Sequence, residues 1–394
     1  LTATSCKQVA AELLAQCLAG DPPETLPPAL LDDECGHALF GIFVEGLADR
    51  FEPVLCGMYA RLFAQAISRA VPEADASALV ERYQRVRRPH PLSADPRRVF
   101  VLSRVTLGAD VAVTSVLLDA ARRRFPRAEI CFAGPAKNYE LFSPGSGIVH
   151  TPVEYRRGSL RERLEVWNAL SALLSDSGCV VLDPDSRLTQ LGLLPVCEED
   201  RYRLFESRAY GGASGRSLPE LAAAWTEEIL GVAGAKPWLA LPPTPRRNTI
   251  AVSLGVGENP AKRLPGPFEE QLLRLLAGTG LAICIDRGAG GEEAERVARA
   301  VERSGAAVDA WNGSFAGFAS IIASSRLYIG YDSAGQHVAA ASGVPLITIF
   351  AGFPSPRMFD RWRPVSPRAT VIRVDQPDPP AVLERVRAAL AGAL

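Results

Sequence analysis

What this sequence lacks narrows it before any motif is read. It has almost no net charge: 43 Lys and Arg against 44 Asp and Glu leave −1 over 394 residues. Such a balance gives no global field toward nucleic acid or an acidic membrane, so nucleic-acid binding is not expected. No cysteine pair has the Cys-x-x-Cys spacing of a zinc or redox site. The eight cysteines are scattered, and several lie inside apolar runs such as Ile130-Cys131-Phe132 and Ile283-Cys284-Ile285. Buried reduced thiols are the expectation, and with them a cytoplasmic setting. No secretory leader is read at the start, where residues 7–18 form an amphipathic helix pattern interrupted by Lys7, Gln8, Glu12 and Gln16. The long stretch between Asp332 and Arg357 lacks formal charge, His337 aside, but Gly343, Pro345, Gly352, Pro354 and Pro356 break it. That excludes a membrane span and suits a buried parallel strand.

What is present is core. Hydrophobic residues make up 47% of a chain long enough for two or three domains. Residues 1–88 carry helix-period patterns, notably over 36–50 and 54–71, and almost no strand signal. A basic, Pro-rich stretch from Arg87 to Arg98 reads as a linker. Strand and helix patterns then alternate: Val99–Leu102, Asp110–Phe125, Glu129–Ala133, Leu160–Leu174, Cys179–Leu182 and a helix at 218–230. After a Pro-rich break from Pro237 to Arg247 the alternation restarts with Thr249–Leu254 and runs to a closing helix at 379–391. Such alternation predicts βαβ units and parallel sheets. The expected fold class is α/β, with two Rossmann-like domains facing a cleft behind an N-terminal helical extension. The expected boundaries are 1–96 for the extension, 97–240 and 241–378 for the two domains, and 379–394 for the C-terminal helix.

Candidate chemistry falls where strands end. Leu107-Gly108-Ala109-Asp110-Val111 follows a strand and opens a helix; Asp110 is either an N-cap or a general base. The strand at 249–254 leads through Ser253 and Gly255 to Lys262 and Arg263. It is neither a Walker A loop nor a dinucleotide fingerprint, yet glycines and cations after a strand suit phosphate oxygens. Glu292 and Glu293 open the next helix, as solvated first-turn acids or as a ribose ligand. Gly313-Ser314 makes a turn and N-cap. Most informative is Tyr331-Asp332-Ser333-Ala334-Gly335-Gln336-His337, between strand-like runs 327–330 and 346–350. A carboxylate, a hydroxyl and free helix N–H groups meet there, as an anionic ligand requires.

Together these segments resemble glycosyltransferase family nine, the heptosyltransferases of GT-B fold. The likeness rests on Leu107 to Val111, Arg122 to Ile130, Lys262-Arg-Leu-Pro265, Gly313-Ser314, Asp332 to His337, Gly343-Val-Pro345 and Phe350 to Pro356. It runs from residue 97 to 394. Two departures stand out: Ala109 is inserted before Asp110, and Ala334-Gly335 replaces a motif with glycine first. The resemblance implies an inverting transferase that moves a heptose-like sugar or a hexose from a nucleotide-diphosphate sugar, an ADP-linked one among the candidates. Asp110 would be the base and Lys262 the cation on the departing diphosphate. Ser253, Gly255, Arg263, Glu292 or Glu293, Gly313, Ser314, Asp332, Ser333, Ala334, Gly335 and His337 would bind the donor. No Asp-x-Asp metal site is read, so neither metal nor cofactor is expected beyond the nucleotide-sugar co-substrate. The acceptor is left open between glycan, lipid-linked and protein hydroxyls. Peripheral contact with the inner membrane face stays open too, as does a protein partner or oligomer contact through 1–96. The basic stretch 155–163 reads as a solvated face. The rival reading is a GT-B-like scaffold that binds a nucleotide sugar without turnover.

Overall fold

The structure, a computed structural model, describes residues 3–93, 95–242, 244–257, 259–288 and 290–394. It contains two sheets in which every pairing is parallel. The first comprises β1 (Arg98–Leu102), β2 (Glu129–Gly134), β3 (Val149–Pro152), β4 (Cys179–Asp183) and β5 (Tyr202–Leu204), in the order β3-β2-β1-β4-β5. The second comprises β6 (Thr249–Ser253), β7 (Ala282–Asp286), β8 (Val308–Trp311), β9 (Leu327–Tyr331), β10 (Leu346–Phe350) and β11 (Ala369–Arg373), in the order β11-β10-β9-β6-β7-β8. Strand order reverses between β1 and β4 in the first sheet and between β6 and β9 in the second. At such a reversal, loops leaving the C-terminal strand ends part to either side and leave a crevice.

Strands β4, β9 and β10 are buried along their whole length. Covered on both faces, they carry the unbroken apolar runs by which they are legible. Three strands were not anticipated: β3, β5 and β11. Each lies at the edge of its sheet, where one side needs no partner and the apolar signal fades; β3 even ends in Pro152.

The chain divides into two compact units. The first holds the residues up to Thr106, Val116–Tyr139 and Gly147–Ala235; the second holds Leu107–Ser115, Glu140–Ser146 and Lys236–Leu394. In the first unit, helices Ala3–Leu18, Pro53–Ala70 and Ala76–Val86 share one core with the sheet, joining Phe43, Tyr59, Phe63 and Tyr83 to Phe100, Leu102 and Val181. Polar groups lock the same seam. Tyr59 Oη donates to the Gln190 carbonyl at 3.1 Å and Arg82 to that of Gly192 at 3.0 Å. In the second unit, helix Pro379–Ala393 packs Val382, Val386 and Leu390 into the core around β6, β9 and β10.

Two expectations are corrected. Cys6 and Cys35 form a disulfide, with Cα atoms 5.4 Å apart. Helix Ala3–Leu18 folds back over the turns at 28–38, so thiols far apart in sequence meet in the core. The remaining cysteines are free. The basic stretch 155–163 is only partly solvated. Arg163 is buried, its guanidinium 3.7 Å from the Phe40 ring centroid and bonded to the Tyr155 hydroxyl at 3.1 Å. Among the described residues, no helix is long and apolar enough to cross a membrane.

Candidate functional site

The second unit gathers its charged groups where the strand order reverses. The loop after β6 carries Lys262, and β9 runs directly into Asp332. Their side chains meet, Lys262 Nζ to Asp332 Oδ2 at 2.6 Å, with Asp332 almost wholly buried. A strand residue and a loop hold the lysine in place. Tyr331 Oη accepts from the Leu264 N–H at 3.3 Å. Gly352, after β10, presses its Cα against the Ala261–Lys262 peptide at φ +67°. A Cβ there would collide with Lys262 N at 2.7 Å, so only glycine fits.

Asp332 also ends at the N-terminus of helix Ala334–Ala341, whose first N–H groups offer partial positive charge. Ser333, its N-cap residue, makes no cap bond, and its Oγ is buried without a hydrogen-bond partner. Beneath it lies Tyr328, fully buried on β9. Its hydroxyl comes near those of Ser253 and Ser333 without forming a well-shaped hydrogen bond to either. Gly335 makes room for it: a Cβ there would fall 2.7 Å from the tyrosine ring carbons. The glycine at position 335 therefore has a cause, which is the ring of Tyr328.

His337 is buried beside this pair, its ring 5.8 Å from that of Trp362. Burial pushes its pKa down to about 4, with Lys262 adding to the fall and Asp332 opposing it. The imidazole is therefore neutral near pH 7, and a hydrogen-bonding or packing role suits it better than a charge.

The other donor candidates are spread along the same sheet edge. Glu293 accepts from the Val256 N–H at 3.2 Å, and its carboxylate stands against Gly255 and Gly288, which have no Cβ to obstruct it. Glu292 points to solvent. Gly313 and Ser314 are exposed on the loop after β8, where Ser314 caps helix Phe315–Ser324 and Gly313 lies over Trp311. Arg263 turns away from Lys262 into a cleft of about 400 Å³ shared with Glu269, Arg296, Arg299 and Arg303. Ser253, Lys262, Asp332, Ser333, Gly335 and His337 are thus brought together; Arg263, Glu292, Gly313 and Ser314 stand apart from them.

Asp110 belongs to the second unit although it follows β1. The turn Leu107–Ala109 runs into a π-helical turn, Asp110–Thr114, and then into α-helix from Ser115 to Arg124. Ser115 N–H reaches back five residues to the Asp110 carbonyl. A π-turn is one residue looped into an α-helix, so it takes in one residue more than the α-helical period and leaves the helix beyond in register. Asp110 is fully buried and accepts from the Thr114 hydroxyl at 2.6 Å. It is no N-cap, because helix precedes it. The turn lies against helix Ala334–Ala341: a Cβ on Gly108 would sit 3.2 Å from Ala334 Cα and 3.4 Å from the His337 ring.

Sequence reading missed Tyr328 and Thr348 at this site, since each reads as ordinary core until the strands are in register, and it gave Gln336, inside the Asp332–His337 motif, no role. It also missed a polar cluster at the strand reversal of the first sheet. There Asp185 and Arg208 form a fully buried pair at 3.0 Å, Ser207 donates to Asp185 at 2.8 Å, and Arg104 donates to Ser207. Burial pushes the Asp185 carboxyl up, but Arg208 and then Arg104 outweigh it and hold the group below the usual carboxylate range. Among the described residues, no group of three or more His, Cys, Asp or Glu could hold a metal ion.

Residues 223–388 match glycosyltransferase family 9 (heptosyltransferase). The fold is similar to that of a family 9 glycosyl transferase from Veillonella parvula (17% identity, TM-score 0.59, covering 77% of this chain and 99% of that one). It is also similar to E. coli heptosyltransferase WaaC with ADP (19%, 0.57, 75% and 100%), and to E. coli ADP-heptose lps heptosyltransferase II (22%, 0.54, 75% and 99%). At these identities the structures establish the fold. Comparison with curated proteins gives no match.

Proposed function

We propose that this chain, GT-B in fold and a glycosyltransferase family 9 domain over residues 223–388, transfers a sugar from a nucleotide-diphosphate donor to an acceptor hydroxyl with inversion. The observation that carries the reading is the Lys262–Asp332 pair at the N-terminus of helix Ala334–Ala341, with the Asp110 turn against that same helix. Because solved relatives bind ADP and an ADP-linked heptose derivative, an ADP-sugar is the first donor to try.

In the reaction, Asp110 takes the proton of the acceptor hydroxyl as its oxygen bonds to the anomeric carbon from the face opposite the leaving group. The bond from that carbon to the diphosphate breaks, and its electron pair leaves with the nucleoside diphosphate. Lys262 and the first N–H groups of helix Ala334–Ala341 neutralise the growing charge. Glu293, held above the loop after β6, is the better placed of the two glutamates for ribose hydroxyls. The acceptor remains a glycan, a lipid-linked glycan or a protein.

Asp110→Ala is expected to lower kcat by about 10²–10⁴ while leaving donor binding intact. Transfer at the wild-type rate by that variant refutes the assignment of the base. Donor binding by the wild type without transfer to any acceptor offered would favour the scaffold reading.

A further inference from the structure

Gln336, on helix Ala334–Ala341, is a polar side chain that is completely buried and bonded at both ends. Its Oε1 accepts from Thr348 Oγ1 at 2.8 Å, and Thr348 is itself fully buried in the middle of β10. Its Nε2 donates to Asp332 Oδ1 and lies 3.3 Å from the Trp362 carbonyl and from His337 Nε2. The other oxygen of Asp332 takes the Lys262 ammonium. A relay Thr348–Gln336–Asp332–Lys262 therefore runs from the sheet interior to the cation. Its polarity is set by chemistry: an ionised carboxylate only accepts, so the amide must present its NH₂ to Asp332 and its oxygen to the threonine.

The geometry points to Gln336 as a positioning residue for Lys262, acting through Asp332. The inference rests on the reading of Lys262 as the cation that meets the leaving diphosphate. A carboxylate bonded on one oxygen alone could rotate and carry the ammonium with it. Bonded on both, it fixes where the ammonium stands, and rate losses of 10²-fold follow from misplacements of about 1 Å. The short side chains of a serine or threonine could not span from Thr348 to Asp332. The length of glutamine thus has a purpose that packing alone does not give.

Gln336→Met keeps the length and removes both polar ends. Two measurements on the full chain test it. In the first, acetic anhydride labels lysines at pH 8 and mass spectrometry reads each site, with Lys7, Lys137 and Lys236 as internal references. Lys262 is expected to label at least fivefold faster in the variant; equal labelling overturns the proposal, whether or not the protein turns over. In the second, transfer is assayed with an ADP-sugar in a double-mutant cycle with Lys262→Ala. Gln336→Met is expected to lower kcat at least tenfold with donor KM changed less than threefold, and to lower it no further once Lys262 is gone. An equal loss in both backgrounds overturns the proposal by making Gln336 merely structural. Faster labelling with no transfer by the wild type would leave the relay standing and refute instead the reading of Lys262 as a catalytic group.

Discussion

Gly335 shows how much one missing methyl group decides. The Tyr328 hydroxyl and ring occupy the space where its Cβ would be. A Cβ on Gly330, on the same strand, would also fall 2.7 Å from that hydroxyl, so the ring sits between two positions that only glycine leaves open. Gly335→Ala is therefore expected to cost about 1–3 kcal/mol, as overpacking does in a rigid core. Chemical denaturation would measure this, repeated in a Tyr328→Val background where the clash is gone. A cost unchanged by Tyr328→Val would mean that the ring is not the cause. At this scale the sequence was legible in part. The motif Asp332 to His337 announced itself by residue type and spacing, and its odd glycine was visible. Its partner was not, because Tyr328 reaches Gly335 only once β9 turns into the helix that follows it.

At the scale of elements, the π-turn at Asp110–Thr114 makes a sharper claim than any residue in it. If it exists to absorb Ala109, deleting Ala109 should turn it into ordinary α-helix and leave Val111 to Arg124 in place. The expected stability change is about 1 kcal/mol, typical of a mild substitution. Deleting Ala120, in the α-helical stretch Ser115–Arg124, would rotate every later side chain by about 100° and is expected to abolish the cooperative melt. Thermal denaturation of the two deletions compares them directly; equal damage would count against the π-turn as an accommodation. Central strands were readable because burial on both faces writes long apolar runs into them. Edge strands β3, β5 and β11 were not, and neither was a helical bulge, which leaves no trace in hydrophobic period.

At the scale of the whole molecule, the N-terminal helices matter most. Family similarity covers residues 223–388, and similar structures cover about three-quarters of the chain (75–77%). Helical patterns over 1–88 were legible, but their destination was not, since amphipathic faces do not state what they cover. They cover the first sheet, sharing one core with β1, β2 and β4. A fragment beginning at residue 97 would expose that face, and the loss should exceed the net stability of about 5–15 kcal/mol that a domain has. It is expected to aggregate or to lack a cooperative transition by circular dichroism. A soluble fragment melting like the full chain would show the helices to be dispensable.

The Lys262–Asp332 pair also bears on selectivity. A bare ammonium at a helix N-terminus would attract any polyanion, and its affinity would fall steeply with salt. An ammonium that already has a buried counter-ion projects little field into solvent. A ligand there adds to the aspartate's hold and does not replace it, so binding is favourable only to one that brings several contacts of its own. Under the proposed function, such a site would ignore stray phosphates and answer to a whole nucleotide sugar.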